Sequence, residues 1–186
     1  MVLQIVNNLK KLTMALLVTS AFAAGNAQAG DPGSGKIEFK GQINDGACVI
    51  DTEHTAGPIT LNSVPASLLK DGEPDGADAK SFSIYLKNCD SSQKHLVSVT
   101  FTDKDGYDVS QKYFAPKPGG AQNVYLAITD SAVGVPVLPS DPGIPHALPT
   151  EGGDLTLDYK AAYVAVGHKA IAGDFDAFVN YQLSYQ

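Results

Sequence analysis

The 186-residue sequence has no tryptophan, only two cysteines and few basic side chains. The absence of tryptophan weakens the case for a carbohydrate site built on ring stacking. Lysine and arginine total 13 against 20 aspartates and glutamates, and no basic cluster interrupts the chain. This balance argues against nucleic acid, or an anionic membrane surface, as a partner.

Residues suited to catalysis or metal binding form no recognised pattern. Asp103-Lys104-Asp105-Gly106 is close to a calcium loop, but its glycine comes too early and the later acidic ligand is missing. No nucleophile elbow accompanies the serines. We therefore predict no enzyme activity, catalytic residue, metal site or cofactor. The histidines are scattered singly in polar or loop-like surroundings and are expected to be solvated: His54, His95, His146 and His168.

Long apolar runs are also scarce, and the one near the start is too short to span a bilayer. Two lysines precede the apolar run Leu12–Ala24, and Ala27-Gln28-Ala29 then offers small residues at both positions that a signal peptidase inspects. This pattern is typical of a secretory signal peptide and disfavours a membrane anchor or a buried helix. Removal of residues 1–29 leaves 157 of the 186 residues, with 11 basic against 20 acidic side chains and a formal charge of −9. That length suits one domain.

The two cysteines, Cys48 and Cys89, both lie in the exported part of the chain. In an oxidising compartment an isolated pair is most simply one disulfide. A metal site would need further ligands at short spacing, which the scattered histidines do not supply. The sequence therefore predicts a Cys48–Cys89 disulfide.

Apolar and polar residues alternate along most of the exported sequence, and no helical period persists. Clusters of glycine, proline and aspartate separate the alternating runs, and a short helical turn fits near residues 66–70. Several such runs predict an antiparallel β-sandwich. The runs are residues 37–43, 81–87, 97–102, 124–128 and 155–159.

The last fourteen residues alternate most regularly. Even positions are polar apart from Phe178, and the alternation continues to the chain end. It predicts a strand buried on one face, whose outer edge is a pairing site unless something covers it. Its apolar row, which follows Gly173, is Phe175, Ala177, Val179, Tyr181, Leu183 and Tyr185.

These features together resemble the pilins of chaperone–usher fimbriae, and most closely the main-rod subunits of type 1 pili. The matching motifs are residues 35–43, Cys48 seven residues after Gly41, residues 86–89 and residues 123–128. The C-terminal signature adds Gly173, fourteenth from the end, and a penultimate tyrosine. The order and spacing of these motifs are specific, although each alone is weak.

The resemblance implies an all-β fold, an incomplete immunoglobulin-like Greek-key sandwich that lacks its last strand and is completed by a donor strand. Residues 1–29 would be the signal peptide, 30–43 an N-terminal extension carrying the donor strand, and 44–186 the pilin domain. The implied partners are a periplasmic chaperone, an outer-membrane usher, and other copies of the chain or sister pilins. The implied route is export through the periplasm to a fimbria on the cell surface.

The resemblance also assigns roles to residues. Ile37, Phe39, Gly41 and Ile43 would form the inserted face of the donor strand. The apolar row of the C-terminal strand would flank the groove that receives a donor strand. The carboxylate of Gln186 would be the group that the chaperone's basic residues bind.

Other interpretations remain open on the residues alone. The segment 37–43 is also compatible with the first strand of an ordinary sandwich, paired within its own chain. A minor fimbrial subunit or a small secreted carbohydrate-binding module is the alternative function. Two features depart from the family pattern: the short, polar extension before Gly35, and the loop Val135–Pro149, which is longer than in main-rod subunits and is expected to be an exposed surface feature.

We expect the exported protein to begin at Gly30. Ala29→Arg places a large cation where the peptidase requires a small side chain, so this variant should retain residues 1–29. Gln28→Arg is the matched control, because the middle position is not inspected, and it should be processed normally. Intact-mass measurement of the exported chains checks both; unprocessed wild type would contradict the assignment.

Overall fold

A computed structural model describes residue 38 and residues 46–55, 57–103 and 111–186 of the chain. Every described strand belongs to the compact unit Ile43–Gln186. Among the described residues a 3₁₀ turn occupies Ala66–Leu68, within the range 66–70 where the sequence allows a helical turn. The described part of the chain contains no helix long and apolar enough to cross a membrane. The strands are β1 (Val49–Ile50), β2 (Lys80–Cys89), β3 (Leu96–Asp103), β4 (Val124–Asp130), β5 (Val135–Val137), β6 (His146–Ala147), β7 (Gly153–Ala165) and β8 (Val179–Tyr185).

The strands form two antiparallel sheets, and this confirms the predicted all-β sandwich. One sheet has the order β1-β2-β7-β4-β5, and the other has the order β6-β3-β8. Successive strands β2 and β3 lie in different sheets, as do β7 and β8, so the chain repeatedly crosses between the layers. These crossings give the Greek-key arrangement of an immunoglobulin-like sandwich.

The core lies between the two sheets and is made by the alternating apolar residues of each strand. Three aromatic rings meet near its centre: Phe82 stacks on Tyr159 at 5.5 Å, and Phe101 meets Tyr159 edge-on at 5.0 Å between ring centroids. Burial raises the pKa of Tyr159, and the carboxyl group of Asp130 raises it further, so this hydroxyl stays protonated. The other core residues include Ile84, Leu86, Val97, Val99, Leu126, Ile128 and Leu157.

The C-terminal strand is shorter than predicted, because it begins at Val179 instead of following Gly173 directly. Val179 lies opposite Asp103, the last described residue of β3, and residues 174–178 are not in a strand. The carbonyl oxygens of Asp174 and Asp176 instead accept hydrogen bonds from the backbone N–H groups of Ala121 and Lys117, each at 2.7 Å. Residues 174–176 are therefore bonded to the 117–121 loop.

Most of the loop Val135–Pro149 is exposed, in line with the expectation, but the loop is also bonded to the sandwich. Ser140 and Gly143 donate backbone hydrogen bonds to carbonyls of β3, and β6 pairs with the same edge. Within β6 the side chain of His146 is only 15% exposed, and its Nε2 lies 2.7 Å from Oδ2 of the buried Asp130. The prediction of a solvated histidine is thus wrong for His146, because the segment is held against the sandwich.

Cys48 and Cys89 form the predicted disulfide, and both are buried in the core. Cys48 immediately precedes β1, and Cys89 ends β2. The bridge therefore links the residue before β1 covalently to the last residue of β2. This link matters because β1 itself contributes only two residues to its sheet.

Replacing both cysteines by alanine should lower the free energy of unfolding by about 2–5 kcal/mol, because the bridge closes a loop of roughly 42 residues. Urea unfolding of the exported chain measures the change. Reducing agent should reproduce the loss in the wild-type protein and leave the double variant unaffected. Equal stability of the bridged and alanine forms would contradict a structural role.

Candidate functional site: an apolar groove beside the C-terminal strand

The C-terminal strand β8 has one paired edge among the described residues. Its residues Val179–Tyr185 pair with β3, whereas β3 itself has β8 on one side and β6 on the other. Within the described part of the chain, nothing pairs with the outer edge of β8. An edge of this kind presents a row of N–H and C=O groups to any extended segment that reaches it.

The apolar face of the three-stranded sheet is unevenly buried. On β3, Val97, Val99 and Phe101 are at most 3% exposed. On the adjacent β8, the inward-facing side chains remain only partly buried, although they pack against the same core. The less buried side chains therefore lie along β8, the last strand of this sheet among the described residues. The partly buried row is Val179, Tyr181, Leu183 and Tyr185.

A groove of about 710 Å³ lies along this face. Its floor is the apolar core itself, contributed by both sheets. One wall is the segment 57–61, and the other is the segment 175–181. An extended apolar segment laid in this groove would remove both its own side chains and those of the floor from water. The floor residues are Phe82, Ile84, Phe101, Leu126, Ile128 and Ala161.

Gly173 fixes the start of the wall formed by residues 175–181. A Cβ atom at Gly173 would come within 2.6 Å of the backbone nitrogen of Ala121, and one at Gly120 would clash with the carbonyl of Asp174. The two backbones can approach this closely only because both positions are glycine. Further along, the ring of Phe175 packs edge-on against Tyr163 at 5.0 Å.

The wall at residues 57–61 comes just after a turn in the chain that is held by Asp51. The buried carboxylate of Asp51 accepts hydrogen bonds from Lys87 Nζ at 2.6 Å and from the backbone N–H of Glu53 at 3.1 Å, and lies 2.7 Å from the ring of His54. Thr55 then accepts a hydrogen bond from the backbone N–H of Tyr85. These contacts fasten residues 51–55 to β2, immediately before the wall at residues 57–61.

Among the described residues, Asp51, Glu53 and His54 could offer three ligand atoms to a cation. The ammonium group of Lys87 already contacts the Asp51 carboxylate, and it lowers the pKa of Asp51 to about 2; the contact with His54 contributes further. The arrangement fits a structural ion pair that anchors the turn, and we assign no metal to it.

The predicted site residues fall into three groups. The donor-strand residues Ile37, Phe39, Gly41 and Ile43 lie outside the described residues. Of the flanking row, four residues line the groove, whereas Leu183 and Tyr185 continue along β8 and pack against the core beyond it. The four lining residues are Phe175, Ala177, Val179 and Tyr181.

The C-terminal residue lies at the far end of β8. A backbone oxygen of Gln186 accepts hydrogen bonds from the N–H groups of His95 at 2.6 Å and Leu96 at 3.0 Å. Its backbone N–H donates in return to the carbonyl of Leu96 at 2.9 Å. The chain end is thereby fixed against the start of β3.

Sequence reasoning missed the wall at residues 57–61 and the role of the 117–121 loop. The first could have been found from the alternation of Ile59 and Leu61, which follows Pro58. The second had no signal in the sequence, because the proline and glycines at residues 118–120 indicate only a turn. Its contact with residues 174–176 depends on tertiary packing.

Comparison with known proteins gives a consistent result. A family model described as fimbrial protein matches residues 37–186. The chain is 30% identical over 180 residues to the major MR/P fimbria protein of Proteus mirabilis, covering 96% of this chain and 99% of the relative. It is 32% identical over 186 residues to the fimbria A protein of Serratia marcescens, covering 95% and 99% of the two chains.

The fold has a counterpart among solved structures. A chain from a chaperone–usher pilus, in a structure that addresses uncoiling of the rod, superposes with a TM-score of 0.64 at 22% identity. The superposition covers 83% of this chain and 97% of the other. At that identity the likeness establishes the shared sandwich fold.

Lys87→Met should raise the pKa of Asp51, because it removes the ammonium group that favours the ionised carboxylate. In the wild-type protein this pair stabilises the fold above the ordinary aspartate pKa of 3.8, and the contribution is lost as the pH falls through about 2. A carbon-13 NMR titration of the Asp51 carboxyl group measures the shift. Lys160→Met, an exposed change elsewhere in the same sheet, is the control; an unchanged pKa in Lys87→Met would contradict the assignment.

Proposed function

The chain belongs to the fimbrial protein family and is a structural fimbrial subunit; from this premise we propose that it polymerises by donor-strand exchange. The observation that carries the proposal is the groove beside β8, an apolar channel along a strand edge with which no other described strand pairs. The segment that fills it would be residues 37–43 of the next subunit. Backbone hydrogen bonds would pair this segment with β8, and its alternate side chains would enter the groove.

The chemistry of the proposed donor segment suits the groove. Ile37, Phe39 and Ile43 are large and apolar, and each contributes about 1.5–3 kcal/mol when fully buried. Gly41 suits a position where the groove is shallow or another backbone comes close. Charged or amide side chains alternate with these residues and would remain on the outside of the completed sheet.

A contact of this kind is heterologous, because the extension of one subunit meets the groove of another. Repetition does not close into a ring unless the geometry returns to the start, so one sequence can generate a fibre. The inner side chains of β3 are fully buried, whereas those of the adjacent β8 are only partly buried. This difference supports donor-strand exchange, since one added strand would bury the side chains of β8 as well.

A subunit whose groove awaits a donor strand would also require a partner before assembly. We propose that a periplasmic chaperone lends a strand to the same groove and binds the carboxylate of Gln186, and that an outer-membrane usher mediates the exchange and export to the surface. The fold shared with a chaperone–usher pilus supports this route. A minor subunit would use the same groove, whereas a carbohydrate-binding module would bind glycans independently of it.

The proposal is tested on the donor segment, so that the folded domain is left unchanged. Phe39→Asp places a charge on the face predicted to enter the groove and should reduce fibre formation at least about tenfold, because an unpaired carboxylate is strongly disfavoured in an apolar channel. Lys40→Asp, one residue along on the opposite face, should assemble normally. Both chains are co-expressed with the matching chaperone and usher, and fibres are counted by electron microscopy.

Both variants should accumulate as chaperone complexes, and this separates a failure of assembly from a failure of folding. Fibres from Phe39→Asp at the wild-type level, or from a chain lacking residues 30–43, would overturn the proposal. Binding to a glycan array by the variants would favour the carbohydrate-binding alternative.

A further inference from the structure

One wall of the groove is not part of any strand over residues 174–178. These residues precede β8, and Phe175, Asp176 and Ala177 line the groove. Phe178 also lines it, yet half of its surface remains exposed. Without strand pairing to β3, this stretch must be held in place by other contacts.

Lys117 makes three such contacts. Its backbone N–H donates to the carbonyl of Asp176 at 2.7 Å, and its Nζ lies 2.7 Å from Oδ2 of the same residue. The same ammonium group is 3.6 Å from the centre of the Phe178 ring, the geometry of a cation–π contact. One side chain thus joins the 117–121 loop to two residues of the groove wall.

We propose that Lys117 is a positioning residue that holds residues 174–178 as a preformed end wall of the groove and thereby accelerates capture of an incoming donor strand. The inference rests on the proposed function, because it concerns the groove that receives that strand. A wall already in place leaves less conformational entropy to be lost on binding. A wall released from the loop would have to be ordered at the moment of capture.

The exposure of the two charged side chains sets the expected change in the rate of capture. The side chains of Lys117 and Asp176 are 38% and 63% exposed, so each contact is weakened by solvent. Two modest contacts acting together correspond to a change of about 3- to 10-fold in the rate of capture. The contribution of the ammonium group should also fall with added salt, since exposed charges are screened.

The measurement uses the complex of the full exported chain with its chaperone. A fluorescent peptide with the sequence of residues 35–45 is added, and the rate at which it displaces the chaperone is followed. Lys117→Met, which keeps the length of the side chain but removes its charge, should slow displacement about 3- to 10-fold. Lys160→Met, an exposed lysine outside the groove lining, should leave the rate unchanged.

Partial variants separate the two contacts. Asp176→Asn removes the ion pair and keeps the ring, whereas Phe178→Leu removes the ring and keeps the ion pair, so each should give a smaller decrease. Lys117→Arg retains both contacts and should restore the wild-type rate. Raising sodium chloride to about 0.5 M should slow the wild-type reaction toward the rate of Lys117→Met and leave that variant little changed.

The outcomes distinguish this inference from the proposed function. If the peptide fails to displace the chaperone from the wild-type chain, donor-strand exchange itself is refuted. If the wild-type chain exchanges and Lys117→Met exchanges at the same rate or faster, only the role of Lys117 is refuted. Two further outcomes would overturn the role of Lys117. One is a lower rate in Lys117→Met together with a rate in Lys117→Arg that stays equally low. The other is a rate in Lys117→Met that depends on salt as strongly as the wild-type rate does.

Discussion

Among the described residues no strand pairs with the outer edge of β8, and this is the constraint on which the described structure depends. In a complete sandwich each inner strand is covered on both sides, and its apolar row is removed from water. Within the described part of the chain β3 meets that condition and the adjacent β8 does not. The groove lies along the side of β8 on which the described residues place no neighbour.

The two walls are built differently, and both rely on polar contacts at their ends. The wall at residues 57–61 follows a turn anchored to β2 by Asp51, whose carboxylate is held by Lys87. The wall at residues 175–178 is attached to the 117–121 loop by Lys117 and by the close approach of Gly120 and Gly173. Apolar residues therefore supply the driving force for filling the groove, and polar residues set its shape.

Much of this fold could be predicted from alternation alone. The alternating runs around Ile84, Val99 and Leu126 correspond to β2, β3 and β4. An apolar residue at every second position predicts a strand reliably when one face of that strand is buried. Alternation failed at Phe175 and Ala177, which continue the apolar pattern of β8 but precede its first residue, Val179. Sequence periodicity reports which face is buried; it does not report where a neighbouring strand ends.

The residues that line the groove were predictable only where apolar and polar residues alternate along a strand. The lining residues Val179 and Tyr181 were expected, since they belong to the alternating row, and the glycine at position 173 was singled out without a physical reason. The structure supplies that reason in the backbone contact with Ala121. The buried pair of His146 and Asp130 was not predictable, because its two residues belong to strands of different sheets and meet only in the folded structure.

The disulfide has a mechanical consequence for a subunit joined to its neighbours in a fibre. Tension applied to the chain before Gly46 passes through Ala47, whose carbonyl accepts a hydrogen bond from the N–H of Asp90, to Cys48; β1 beyond it offers only two residues of backbone pairing to resist. The bridge to Cys89 diverts that load through a covalent bond into β2, which is paired along most of its length with β7. A pulled subunit would therefore spread the force across its largest sheet before any strand is peeled away.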